Sequence, residues 1–383
     1  MRLLLPIDSR VSDTQGFLVV AGDGANPMHV QTEEKHEYAR RGFRGACSVE
    51  RRLYVCNSFS LKIYDVGPVS PDSSSPPTFD LVRQVLLPEW LIGRGANADL
   101  HYPFHDEIAQ QILLANSYMD CIERFSLDGE HLGRTFLWEM SPEIDRLVRA
   151  RNPKAADLCH VNHIERVGNE RLLTLGNLNG SGLGAVMSME SGDLVLRELG
   201  RPHDGVWDSG DYFVTETSRH RLLVFRDIAT AQDLKKATPT VVDLTAAGDK
   251  DEPNTFWLRG LRITAERIYV GCSQFQDRVS GEAGTVPTHI MVIDRATLQI
   301  LDRLPVPSMG GLVNPVVYSL LDLDTAFGDD RSAGSTWVIS ESQAATGSPT
   351  ALGKGNVDQA GRGEASHERA GKADDIEIPG TPS

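Results

Sequence analysis

Short apolar runs rich in Val, Ile, Leu, Phe and Tyr alternate along this chain with Gly, Asp, Asn and Ser, the punctuation of tight hairpins. The alternation is itself repeated. Phe43-Arg44-Gly45 leads to Leu53-Tyr54-Val55-Cys56-Asn57-Ser58, Arg201-Pro202-His203-Asp204-Gly205-Val206-Trp207 leads to Glu216-Thr217-Ser218, and Leu258-Arg259-Gly260 leads to Ile268-Tyr269-Val270-Gly271-Cys272-Ser273. In each copy the glycine stands thirteen residues before the serine. A recurring unit of strands and turns predicts a radial β-propeller, whose repeated polar positions converge on one axis.

Five segments carry the strand and turn pattern: Arg44 to about Leu87, Asp99 to Trp138, His160 to Leu199, His203 to Leu244, and Arg259 to Pro305. A helical excursion with a Ser-Pro-Glu start signal is expected from Ser141 to Ala156. Pro68 to Pro77 and Arg278 to Pro287 read as surface loops. A sixth blade has to be assembled from both ends, from Phe17 to Asp23 and from Val313 to Leu323, which would close the ring and remove exposed edges. The expected fold is therefore an all-β, six-bladed propeller over residues 1–342, with seven blades as the alternative. Residues 343–383 are dominated by Gly, Ser, Ala and acidic residues, too poor in apolar side chains to offset their ordering entropy, and predict a disordered tail.

Composition narrows the partners. The chain has 383 residues, 40% of them hydrophobic, and a formal net charge of −15, with no basic block for a phosphate backbone or an anionic membrane. The apolar run at the start is too short for a signal peptide and no later run spans a bilayer, so a cytoplasmic location and no membrane partner are expected. The five cysteines are widely spaced, without a CxxC pair, and read as small buried hydrophobes. Fingerprints for dinucleotide binding, phosphate cradling, HExxH zinc sites and the GxSxG nucleophile are absent from the sequence.

The candidate chemistry lies at the leading position of each repeat. Aligning second strands equates Arg44, His163, Asp204 and Arg259, with Asn162 and His203 one step earlier, and a longer loop brings His101 to about the same place. Imidazoles from three blades form a ligand set that borderline divalent metals favour, with one position open for water or substrate. His101, His160 and His203 are the expected ligands. Strand alternation turns His160 and His163 to opposite faces, so they do not serve one ion equally, and His163 is the competing choice because the repeat alignment favours it. Asp204 or Glu216 would take a proton. Arg44 and Arg259 read either as ion pairs between blades or as a clamp for a carboxylate or phosphate on a small-molecule substrate. A lone histidine would more often bond a loop carbonyl; three at corresponding places shift the balance toward a site.

The strings Arg201 to Trp207, His160-Val161-Asn162-His163-Ile164 and Arg259-Gly260-Leu261-Arg262-Ile263 resemble those of uncharacterised bacterial propellers. The repeats over residues 17–323 are similar to the six-bladed gluconolactonase, paraoxonase and NHL superfamily. The resemblance implies a divalent cation at the pore. In those relatives it is usually calcium held by Glu, Asn and Asp, whereas the histidines here favour Zn, Fe or Mn. A metal-dependent hydrolase or lyase is expected on these grounds, and a non-catalytic propeller that binds a ligand or protein partner is the alternative.

Overall fold

The computed structural model describes residues 2–9, 17–22, 25–32, 42–68, 77–87, 99–150, 157–245, 256–274, 287–306 and 315–327. Five four-stranded antiparallel blades follow one another, each a meander of consecutive strands. Their first strands are Ala46–Val49, Leu100–Asp106, Val161–Val167, Pro202–Asp208 and Phe256–Ile263. Neighbouring first strands pack against one another and form the inner wall. Second strands such as Gln111–Asn116 and Asp211–Glu216 are buried almost throughout, because both faces meet an adjacent blade. Blade 1 ends on Phe79–Leu86, which is mostly exposed and marks the rim.

The apolar core is accordingly divided into wedges between blades. Leu113, Ile122, Ile164, Leu173 and Met187 fill the wedge between blades 2 and 3. Phe213, Val224, Leu258, Val270 and Met291 fill the one between blades 4 and 5. Burial of such side chains stabilises by about 2 kcal/mol each, so the wedges supply most of the force that holds the ring. The helical excursion is present as Leu137–Met140 and Pro142–Ala150, whose Leu137 and Ile144 enter the wedge between blades 2 and 3. A further helix, Ala231–Lys236, is closed by reciprocal Thr230 and Asp233 hydrogen bonds, a capping box within Thr230-Ala231-Gln232-Asp233 that the strand pattern obscured.

The terminal strands correct the expected architecture. Instead of six like blades, or seven, the described residues form five four-stranded blades and a sheet of different build, in the order Pro315–Val317, Arg2–Ser9, Phe17–Gly22, Ala25–Thr32, with Leu321–Asp322 also on Arg2–Ser9. Phe17–Gly22 and the C-terminal strand do not pair directly, because Arg2–Ser9 lies between them. Leu3 and Leu5 join Tyr269 and Ile290 of blade 5, while Leu4 packs with Phe43 and Leu53 of blade 1. Alternate side chains of one strand thus seal the two sides of the gap. Met1–Ile339 form one compact unit. The loops at 69–76 and 278–286 and the tail at 343–383 lie outside the described residues. No described helix is long and apolar enough to cross a membrane.

Candidate axial site

A bulge recurs where each first strand begins, and it determines what reaches the axis. In blade 2, Leu100 pairs with Asn116 and Pro103 with Leu114, so His101 and Tyr102 share one partner. His203 and Asp204 do the same between the pairs Pro202 with Glu216 and Gly205 with Val214. Arg259 and Gly260 follow suit between Leu258 with Cys272 and Leu261 with Val270. In blade 3 Asn162 is the extra residue, and in blade 1 Arg44 and Gly45 both bond Cys56. Such bulges re-aim side chains. The first bulge position therefore holds Arg44, His101, Asn162, His203 and Arg259, one from each blade. This corrects the sequence alignment: His203 and Asn162 stand level with the two arginines, and Asp204 and His163 come one step later.

The bulges of blades 2 and 4 carry His101 and His203, and the turn before the first strand of blade 3 brings His160 beside them. His101 lies 5.2 Å from His160 and 5.8 Å from His203 between ring centroids. Tyr318, just beyond the strand Pro315–Val317, adds a further side chain, with ring centroids 5.9 Å from His101 and 6.1 Å from His203. Candidate ligand atoms of Asp99, His101 and His160 all lie within 4.8 Å of one another. Asp99 was missed by sequence reasoning, although its place two residues before His101 was the available signal.

Each imidazole is oriented by a carboxylate. Asp99 Oδ2 is 3.2 Å from His101 Nε2, Asp157 Oδ1 is 2.6 Å from His160 Nδ1, and Asp204 Oδ2 is 3.2 Å from His203 Nδ1. The fixed contacts leave His101 Nδ1 and His203 Nε2 buried without a hydrogen-bond partner among the described residues. Burial holds both rings below the ordinary histidine pKa, against the pull of Asp99 on one and Asp204 on the other. They are neutral at pH 7, the state a metal ligand needs. His160 itself sits in the left-handed region at φ 53°, outside the strand. The buried Asp120 carboxylate holds that turn by accepting the N–H groups of Leu158, Cys159 and His160 at 2.6, 3.0 and 3.0 Å. With side-chain exposures of 26% and 17%, His160 and Asp99 form the wet side of the cluster.

The remaining candidates fall elsewhere. His163 packs its ring 3.9 Å from that of Tyr102, and burial lowers its pKa to about 4. Asp204 accepts Gly260 N–H at 3.1 Å as well as His203, and the Thr215 hydroxyl lies 3.3 Å away. It joins blades 4 and 5 and sets the His203 tautomer. Glu216 takes Gly200 N–H at 2.7 Å, Arg219 at 2.7 Å and Arg221 at 2.6 Å, all within or beside blade 4. Arg44 is completely buried and ion-paired to Asp99, a contact between blades 1 and 2. His220 is buried with Nε2 3.1 Å from Phe256 O. All five cysteines are buried free thiols.

No protein-family model and no curated protein matches this chain. Among solved structures, a protein of unknown function from Bacteroides caccae aligns over 83% of this chain and 97% of its own length, with 13% identity and a TM-score of 0.51. That likeness shows the propeller fold alone. A periplasmic gluconolactonase from Pseudomonas aeruginosa aligns over 83% of this chain and 96% of its own, at 12% identity and a TM-score of 0.47.

Proposed function

We propose that this protein is a metal-dependent propeller enzyme, a hydrolase or lyase, acting on a small polar molecule at the axis. The observation that carries the reading is the convergence of Asp99, His101 and His160 donor atoms within 4.8 Å, with unpartnered nitrogens of His101 and His203 buried beside them. Buried polar atoms without partners are costly, and a shared cation satisfies several at once. Two or three imidazoles with one carboxylate suit Zn, Fe or Mn better than the all-oxygen shell calcium prefers. Asp99, His101 and His160 would hold the ion, and His203 faces the same space from blade 4. A cation bound there supplies a Lewis acid for a substrate carbonyl and lowers the pKa of a bound water.

The chain's own groups divide the remaining work. Arg44 fixes the Asp99 carboxylate, Asp157 fixes His160, and Asp204 fixes His203. Such partners orient ligands and raise their basicity. With Asp99 and His160 engaged as ligands, the proton-accepting role stays with Asp204, beside His203. Glu216 is committed to two arginines.

Elemental analysis of protein purified without a histidine tag tests the reading. One Zn, Fe or Mn per chain is expected, falling below a tenth of that in a His101→Ala/His160→Ala variant whose circular dichroism is unchanged. No stoichiometric metal, or content unaffected by the double variant, refutes it. Stoichiometric metal without turnover of lactone, ester or amide libraries would favour the ligand-binding propeller instead.

A further inference from the structure

Arg259 occupies the same bulge position as His101 and His203, so its side chain enters the axis at their level. Its guanidinium carbon lies 4.4 Å from the Tyr318 ring centroid and 4.7 Å from that of Trp257. Tyr318 is the ring that also borders His101 and His203. Arginine N–H donors all lie in the guanidinium plane, so a cation with two aromatic neighbours makes its hydrogen bonds through its edge. Stacking holds that plane still. A guanidinium fixed in this way loses little freedom when a planar oxyanion docks, and this preorganisation is what makes arginine suited to carboxylate and phosphate.

The two arginines of the axis differ in a way that decides between them. Arg44 is wholly buried behind Asp99, whereas Arg259 retains 8% exposure and stands on the far side of His203 from the Asp99 carboxylate's blade. The acceptors around His101, His160 and His203 already receive donors: Asp99 from Arg44 and Ser117, Asp157 from His160, and Asp204 from Gly260 N–H. His203 Nε2, buried with no partner among the described residues, borders the same Tyr318 ring. The blade 5 side of the axis therefore sets the Arg259 cation beside the directed ring nitrogen of His203.

We infer that Arg259, stacked against Trp257 and Tyr318, is the specificity-determining residue for a small oxyanionic ligand, a carboxylate or phosphate ester, which His203 helps to seat. This rests on the axial site being the place where the ligand binds. Arg44 holds Asp99, and its guanidinium carbon lies 5.3 Å from the same Tyr318 ring centroid.

Titration of the protein, metal-free and zinc-loaded, with acetate, methyl phosphate and the neutral acetamide provides the test, read by NMR chemical-shift perturbation. The anions are expected to bind and acetamide to bind at least tenfold more weakly. Arg259→Ala should weaken the preferred anion at least tenfold, and Trp257→Leu severalfold by freeing the guanidinium. The Trp257→Leu variant keeps the test decisive if Arg259→Ala does not fold. Acetate or methyl phosphate binding more tightly identifies the oxyanion class. Equal binding of acetamide, anion binding unchanged in both variants, or no binding of either anion overturns the inference. Zinc stoichiometry is measured on the same samples. Absent zinc with Arg259-dependent anion binding would refute the metal reading and leave this one standing.

Discussion

Replacing Glu165 with Gln isolates the energetic consequence of a half-buried carboxyl on the inner strand of blade 3. Glu165 lies on the inner strand of blade 3, and burial raises its pKa from 4.5 to about 7. The raise persists although Arg166 and Trp207 donate backbone N–H groups to it and Arg262 lies nearby; Asp208 adds to it. Because the folded-state value is the higher one, the folded protein holds its proton to higher pH than the unfolded chain does. Stability is therefore complete below about pH 4.5, declines as pH rises toward 7, and levels off above. At about 1.4 kcal/mol per pH unit, the interval from 4.5 to about 7 corresponds to roughly 3 kcal/mol. Glu165→Gln removes the titration and keeps the shape. Urea unfolding of both proteins at pH 4.5, 6, 7 and 8 should show the variant gaining on the wild type by about 3 kcal/mol across the series, most of it before pH 7. The absolute offset at pH 4.5 is set by lost or altered hydrogen bonds and does not bear on the result. A stability difference that stays constant with pH, or narrows, would refute the assignment of a desolvated carboxyl at this position.

Two further substitutions test how the blades position the site. A Cβ on Gly205 would collide with Tyr212 Oη and lie 2.6 Å from Thr174 Oγ1, both on buried side chains, so Gly205→Ala should destabilise by about 1–3 kcal/mol in thermal or urea unfolding. Glu216→Gln removes a buried charge that accepts from Gly200, Arg219 and Arg221; since the arginines are partly exposed, a loss of about 1–3 kcal/mol is expected, with bound metal unchanged by elemental analysis. A fall in metal content at unchanged stability would return Glu216 to the site.

The spacing of Gly45, Gly205 and Gly260 pointed to the repeats correctly but for two different reasons. Gly260 is needed for its φ of 79°, whereas Gly205 is needed because Tyr212 and Thr174 press against it. Structurally, Gly260 corresponds to Asp204, not to Gly205. The one-residue error arises because a bulge is an event of long-range pairing: an extra residue on one strand is visible only against its partner. The same bulge places Asp204 where it contacts His203 and the neighbouring blade.

What the sequence determined by itself was local. Alternation and turn residues fixed the five blades nearly to their observed ends, and the histidines leading three consecutive repeats implied the meeting of His101, His160 and His203. Tertiary structure decided the rest. Arg2–Ser9 carries no punctuation that reveals it as the strand joining both termini, since its partners lie at opposite ends of the chain. Asp99, Asp120 and Tyr318 gain their places only when separate elements close around the axis. Whether an arginine is a buried strut like Arg44 or stacks at the axis like Arg259 depends on which side chains surround it, and residues at equivalent repeat positions meet different neighbours. Repetition specifies the scaffold through short-range periodicity, whereas the chemistry of the axis depends on the differences between repeats brought into contact.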